Sequence, residues 1–269
     1  MVPMRPVQVM KLDVIVFPVR SFLVGLAVIT LLAGGCGKTH PVPENAEVEV
    51  GFLDQVAAGR SGHGSRIELV RDVADDAMLQ TLTVDDTWIK TLILDAGVIS
   101  DRGVQSIALL PKLGHLRLRE SPISDVGLAE IAGCDALQIL NLPQSDATSA
   151  GVAHLAELPD LKNLRIGGPR LDAETASAVA SIKSLRNVHL INVPITDEGL
   201  RQIASLPKLQ SIYLDGSVVT DEGWDWLFQA HPKLHVHVNQ KHLDRDHANH
   251  GDDGEQSEHS EHSTMDGND

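Results

Sequence analysis

The C-terminal segment, 240–269, carries His242, His247, His250, His259 and His262 among nine acids and two bases. Imidazole and carboxylate together ligate Zn²⁺, Cu²⁺ or Ni²⁺. The segment has too few apolar side chains for a core, so it is expected to be a disordered tail. Ordering a flexible chain around an ion costs entropy, which keeps such binding weak. The same composition also suits a tail that is only solvated, or one that responds to pH. No constellation of catalytic residues stands beside it. The sequence has no Gly-rich phosphate loop, no His-Glu-x-x-His, no Cys-x-x-Cys and no Gly-x-Ser-x-Gly. The expectation is a non-enzyme, with no cofactor beyond a weakly held transition metal.

The elements that would position any binding group follow one ruler. Leu92, Leu116, Leu140, Leu164, Val188, Ile212 and Val236 recur at an unbroken, identical spacing. A second apolar residue follows each by two places, from Leu94 and Leu118 to Leu214 and Val238. A period in the twenties is the signature of a solenoid, where each repeat covers its neighbour's apolar face. With only 3% aromatic residues the core must be aliphatic. In each repeat a Leu-x-x-Leu-x-Leu stretch reads as a strand, with leucines inward and the residues between them outward. Thr91 to Asp95 is read as the first strand. Ser100, Ser124, Thr148, Asp172, Thr196 and Thr220 then stand where a helix N-cap is needed. Asp101, Asp125, Asp197 and Asp221 come next, where the helix dipole favours negative charge. Glycines stand two places further on at 103, 127, 151, 199 and 223, with Thr175 as the exception. Cys134 occupies the place of Leu110, Leu158, Ile182 and Leu206, which makes it a small buried hydrophobe. Trp224, Trp226 and Phe228 read as a C-terminal cap, or alternatively as an exposed docking site.

The segments Ile195-Thr196-Asp197-Glu198-Gly199-Leu200 and Leu209-Gln210-Ser211-Ile212-Tyr213-Leu214 resemble leucine-rich repeats, closest to the helix-backed, ribonuclease-inhibitor-like subtype. The resemblance covers about residues 79–239. It implies an α/β fold: a curved solenoid with a parallel β-sheet on the concave face and helices on the convex face. It also implies a binding role, since the family shares a scaffold rather than a reaction. Residues 51–78 are expected to cap the first repeat.

The ruler also names the outward strand residues. The first column is Thr91, His115, Ile139, Asn163, Asn187, Ser211 and His235. The second is Ile93, Arg117, Asn141, Arg165, His189, Tyr213 and His237, and the third contains Asp95, Arg119 and Asp215. A basic-to-neutral face is expected on a chain of net charge −15. That balance argues against nucleic acid as a partner. A protein partner presenting carboxylates or phosphates would find its anchors in Arg117, Arg119, Arg165 and Tyr213. A solvated face with no dedicated ligand, or a purely structural role, fits the same residues.

The N-terminal segment reads as a targeting signal. Lys11 and Arg20 precede the apolar run Ser21 to Gly35, and Leu32-Ala33-Gly34-Gly35-Cys36 follows the pattern of small residues before a cysteine. The run is shorter than the ~20 residues of a membrane span but suits a signal-peptide core. Its end resembles the bacterial lipoprotein signal, which implies cleavage after residue 35 and a lipid on Cys36; an ordinary secretory signal is the alternative. Cleavage removes three of 22 cationic and one of 37 acidic residues, leaving 19 and 36, a net of −17. Residues 36–50, with Pro41, Pro43 and three glutamates, read as a polar tether. The chain is therefore expected in the bacterial cell envelope, exported and held at a membrane.

Overall fold

The computed structural model describes residues 49–242. Nine strands form one sheet in strict chain order. They are β1 (Arg66–Leu69), β2 (Thr91–Leu94), β3 (His115–Leu118), β4 (Ile139–Leu142), β5 (Asn163–Gly167), β6 (Asn187–Ile191), β7 (Ser211–Asp215), β8 (His235–Val238) and β9 (Lys241–His242). The first eight run parallel and β9 turns back antiparallel on β8. Between β2 and β8 every partner lies one full sequence period away, as in Leu92↔Leu116, Leu140↔Leu164 and Ile212↔Val236. The inward leucines, isoleucines and valines are buried in one aliphatic core that runs the length of the array, with Leu209 and Val238 partly buried against it.

A strand precedes the one expected to be first. β1 pairs with β2 through Ile67↔Leu92, a step one place longer than the period. That single insertion hid this repeat in the sequence. Helix α1 (Phe52–Arg60) packs beside β1 and buries Phe52 and Val56 in the core. The end is fastened by Arg60, whose guanidinium donates to both oxygens of buried Asp86, each at 2.7 Å. Asp86 also accepts from the Thr83 amide and the Trp88 indole N–H. At the other end the sheet runs into the segment assigned to the tail, because β9 occupies residues 241–242.

The connecting helices are short: α2 (Asp76–Leu79), α3 (Asp101–Ala108), α4 (Asp125–Ile131), α5 (Ser149–His154), α6 (Thr175–Ser181), α7 (Asp197–Ala204) and α8 (Asp221–Ala230). Ser100, Ser124, Thr196 and Thr220 cap α3, α4, α7 and α8 with their hydroxyls, as expected. Two of the six expected caps differ. The Thr148 hydroxyl stands at its N-cap without accepting from its own helix, and α6 starts later, with Glu174 in the cap position. Asp172 instead accepts from the Glu174 amide.

The aspartates that follow the caps do more than meet the helix dipole. Asp76, Asp101, Asp125 and Asp197 each reach forward to the next repeat. Asp76 takes the amide and hydroxyl of Ser100, and Asp101 takes those of Ser124. Asp125 does the same for Thr148, and Asp197 for Thr220. This explains four of the five glycines, 103, 127, 151 and 223, whereas Gly199 faces Ala176. A Cβ on Gly127 would lie 2.4 Å from an Asp101 oxygen, and one on Gly223 would lie 2.3 Å from an Asp197 oxygen. Thr175 occurs where the repeat before it carries Ser149 in place of the aspartate. With that carboxylate missing, the buried Thr175 hydroxyl accepts from the Asp172 amide in its place.

Cys134 is 4% exposed in the core. Burial, with Asp135 adjacent, pushes its thiol up to about 11. Trp224 is buried, while Trp226 and Phe228 pack partly against the core. Arg201 sits 5.2 Å from the Trp226 ring centroid.

Candidate recognition face

The helices cover one side of the sheet, and the alternate strand residues line the other. The parallel register aligns the outward columns row by row: His115↔Ile139, Arg117↔Asn141, Asn163↔Asn187, Arg165↔His189, Ser211↔His235 and Tyr213↔His237. The spacing of strands, about 4.8 Å, brings each side chain within reach of its neighbour. The result is a set of polar chains rather than isolated groups.

At the N-terminal part of the face, Arg117 is held by Asp95. Its Nε donates to Oδ1 at 2.7 Å and Nη2 to Oδ2 at 2.5 Å, in the bidentate geometry that suits a guanidinium. Arg119 lies 3.8 Å from the same carboxylate. Arg117 is therefore paired with a neighbouring strand rather than presented as an open cation. Asp95 also offsets much of the positive charge that composition assigns to this region. His115 beside it is pushed below the usual imidazole value, first by burial and then by the Arg117 charge.

In the middle, Arg165 anchors a second chain. Its Nη1 donates to Asn141 Oδ1 at 3.4 Å, and its Nε donates to His189 Nδ1 at 3.2 Å. With Nδ1 accepting, His189 Nε2 is the nitrogen left to donate to Asp215 Oδ2, at 3.0 Å. The chain Asn141–Arg165–His189–Asp215 thus spans four strands. Partial burial, together with Arg119, works against the Arg165 charge and lowers its value from the ordinary one. A parallel chain runs through the first column, where Asn187 donates to Asn163 and Ser211 donates to Asn187.

A pocket of about 170 Å³ opens on the face here. Its walls include Ile139, Asn141, Asn163, Arg165, His189 and Tyr213. It combines an apolar floor with a few oriented polar groups, the usual composition of a recognition site. Tyr213 is flanked by three imidazoles. It stacks on His237 at 4.5 Å and 18°, and meets His189 and His235 at 5.4 and 6.0 Å.

The face therefore brings together His115, Asn141, Asn163, Arg165, Asn187, His189, Tyr213, His235 and His237, with Arg117 and Arg119 gathered on Asp95. Sequence reasoning counted Asp95 and Asp215 but missed that they are partners of Arg117 and His189. The signal was available in the diagonal placement: each aspartate lies one strand away from its partner and two places off its row. Cys36, His247, His250, His259 and His262 lie outside the described residues, while the backbone of His242 belongs to β9. Among the described residues no group of three His, Cys, Asp or Glu side chains is set to hold a metal, and no helix is long and apolar enough to cross a membrane.

No protein-family model matches the sequence, and no curated protein matches it. Solved structures do. An internalin from Listeria monocytogenes superposes with a TM-score of 0.52 at 19% identity, over 66% of this chain and 48% of the internalin. The chain thus spans about half the length of that protein. A protein from Bacteroides fragilis aligns at 16% identity with a TM-score of 0.42, covering 66% of this chain and 67% of that one. The internalin likeness, with the in-register parallel sheet and backing helices, shows a leucine-rich-repeat solenoid fold.

Proposed function

We propose that this chain is a non-enzymatic binding protein that recognises a protein partner on the open face of its sheet. The observation that carries the reading is the Asn141–Arg165–His189–Asp215 chain beside the Tyr213-walled pocket. Arg165 is already oriented by two neighbours, so binding spends little further entropy on ordering it. Arginine and tyrosine at the edge of a partly desolvated pocket are the residue types that carry interface energy. The partner chemistry that fits is a carboxylate-bearing segment, with Arg165 as the cation and Asn141 and Asn163 as further hydrogen-bonding groups.

Attachment to the cell envelope is part of the same reading. The small residues before Cys36 support lipid modification of that cysteine, which would present the sheet at a membrane. Stable anchoring of this kind needs two signals, such as dual acylation. The membrane partition of a Cys36→Ser variant tests the anchor on its own.

The binding reading is tested by crosslinking pull-down from native envelopes. Arg165→Glu with Tyr213→Ala is expected to lose a protein that the unsubstituted chain captures, while far-ultraviolet circular dichroism stays the same. Undiminished capture by the folded variant would overturn it.

A further inference from the structure

We infer that a divalent transition-metal ion binds at the last turn of the sheet, between His235 and His237. The two histidines stand at positions i and i+2 of β8, which places them on one face of the strand. Their Nε2 atoms converge to 2.7 Å, with ring centroids 4.6 Å apart. Imidazole nitrogens suit Zn²⁺, Ni²⁺ and Cu²⁺. Two of them bound to one tetrahedral ion at about 2.0–2.1 Å stand roughly 3.3 Å apart. The rings need part by only about half an ångström to admit it. In the pair as it stands, one Nε2–H faces the lone pair of the other. Shifting that proton to Nδ1 turns both lone pairs toward the ion with no change in net charge.

Two features favour the site. Tyr213 stacks flat on His237 and meets His235 at its edge, which restricts both rings. The antiparallel pairing with β9 then holds the backbone at His237 and Val238. Ligands fixed on one strand lose less freedom on binding than ligands spread along a polar segment. This pair is therefore expected to outcompete the histidines that follow it in the chain.

The test is calorimetric titration of Zn²⁺ into the full chain and two variants. Substituting His247, His250, His259 and His262 by glutamine is expected to leave the tightest site unchanged. His235→Gln with His237→Gln is expected to weaken that site about a hundredfold or more, at the upper end of the losses seen when support for a metal is removed. Loss of the tight site on substituting the four tail histidines, or its survival in the His235/His237 variant, would overturn the inference. Modification of the unsubstituted chain by diethyl pyrocarbonate gives a readout that needs no variant. Zn²⁺ must protect His235 and His237, and their unchanged modification would equally sink the site.

Discussion

Asp101 holds Ser124 of the next repeat by both of its oxygens, the amide at 2.9 Å and the hydroxyl at 2.5 Å. Ser124 meanwhile accepts from the Val126 amide and so starts its own helix. One carboxylate thus fixes where the following helix begins. The contact recurs between Asp76 and Ser100, Asp125 and Thr148, and Asp197 and Thr220. Stability of a repeat array depends on such nearest-neighbour terms as well as on each repeat's own core.

Removing that carboxylate should therefore be costly for a residue near the surface. Asp101→Ala leaves the Ser124 amide without its acceptor and is expected to destabilise by about 1–3 kcal/mol. The shift of the urea midpoint measures it. A loss too small to resolve would mean that water replaces the carboxylate freely.

Gly127 and Asp101 should be energetically coupled. Gly127→Ala alone drives a methyl group against the Asp101 carboxylate. With Asp101→Ala already present, that contact is gone and only the close approach to Ile123 remains. A double-mutant cycle is expected to show that the second change costs less in the Asp101→Ala background, with a coupling of about 0.5–3 kcal/mol.

Acid should weaken the fold in two stages. His115 is held below its ordinary value by burial and Arg117, so folding favours its neutral form. It contributes stability above about pH 6.5 that is lost as pH falls below that value. Asp86 is held well below the carboxylate range, first by the Arg60 guanidinium and against the opposing effect of burial. In Asp125, burial is outweighed by bonds from the Thr148 amide and hydroxyl, which lower its value. For these carboxylates stability is complete above the unfolded value of about 3.9 and declines as pH drops through the folded values. Urea midpoints recorded against pH should show both stages. His115→Gln should flatten the upper one and Asp86→Asn the lower.

Cys134 should resist thiol reagents near neutral pH, because its thiolate is suppressed by burial. Peptide-level mass spectrometry should find it unlabelled in the native chain and labelled in urea. Rapid native labelling would show that the core around it opens readily.

The repeat architecture was legible because a fixed strand period maps directly onto register: Leu116 and Leu140 had to pair. β1 was not, because Ile67 stands one place too far before Leu92 and falls outside the period. The recognition face was legible as a set of columns but not as a set of bonds. Arg117 read as an open cation until Asp95, one strand back and two places along, proved to hold it. The aspartate contacts were concealed for a similar reason: Asp101 was explained by its own helix, whereas its partners lie on the next. The exchange of Gly for Thr175 where Ser149 replaces aspartate was the clue that two columns served one purpose.

A parallel array is, in principle, endless. The outer edge of β8 is ready to receive another strand in the same direction, from a further repeat or from a second molecule. β9 occupies that edge facing the wrong way. A reversed strand does not continue the parallel register, so along His237 and Val238 the place of a further parallel strand is taken.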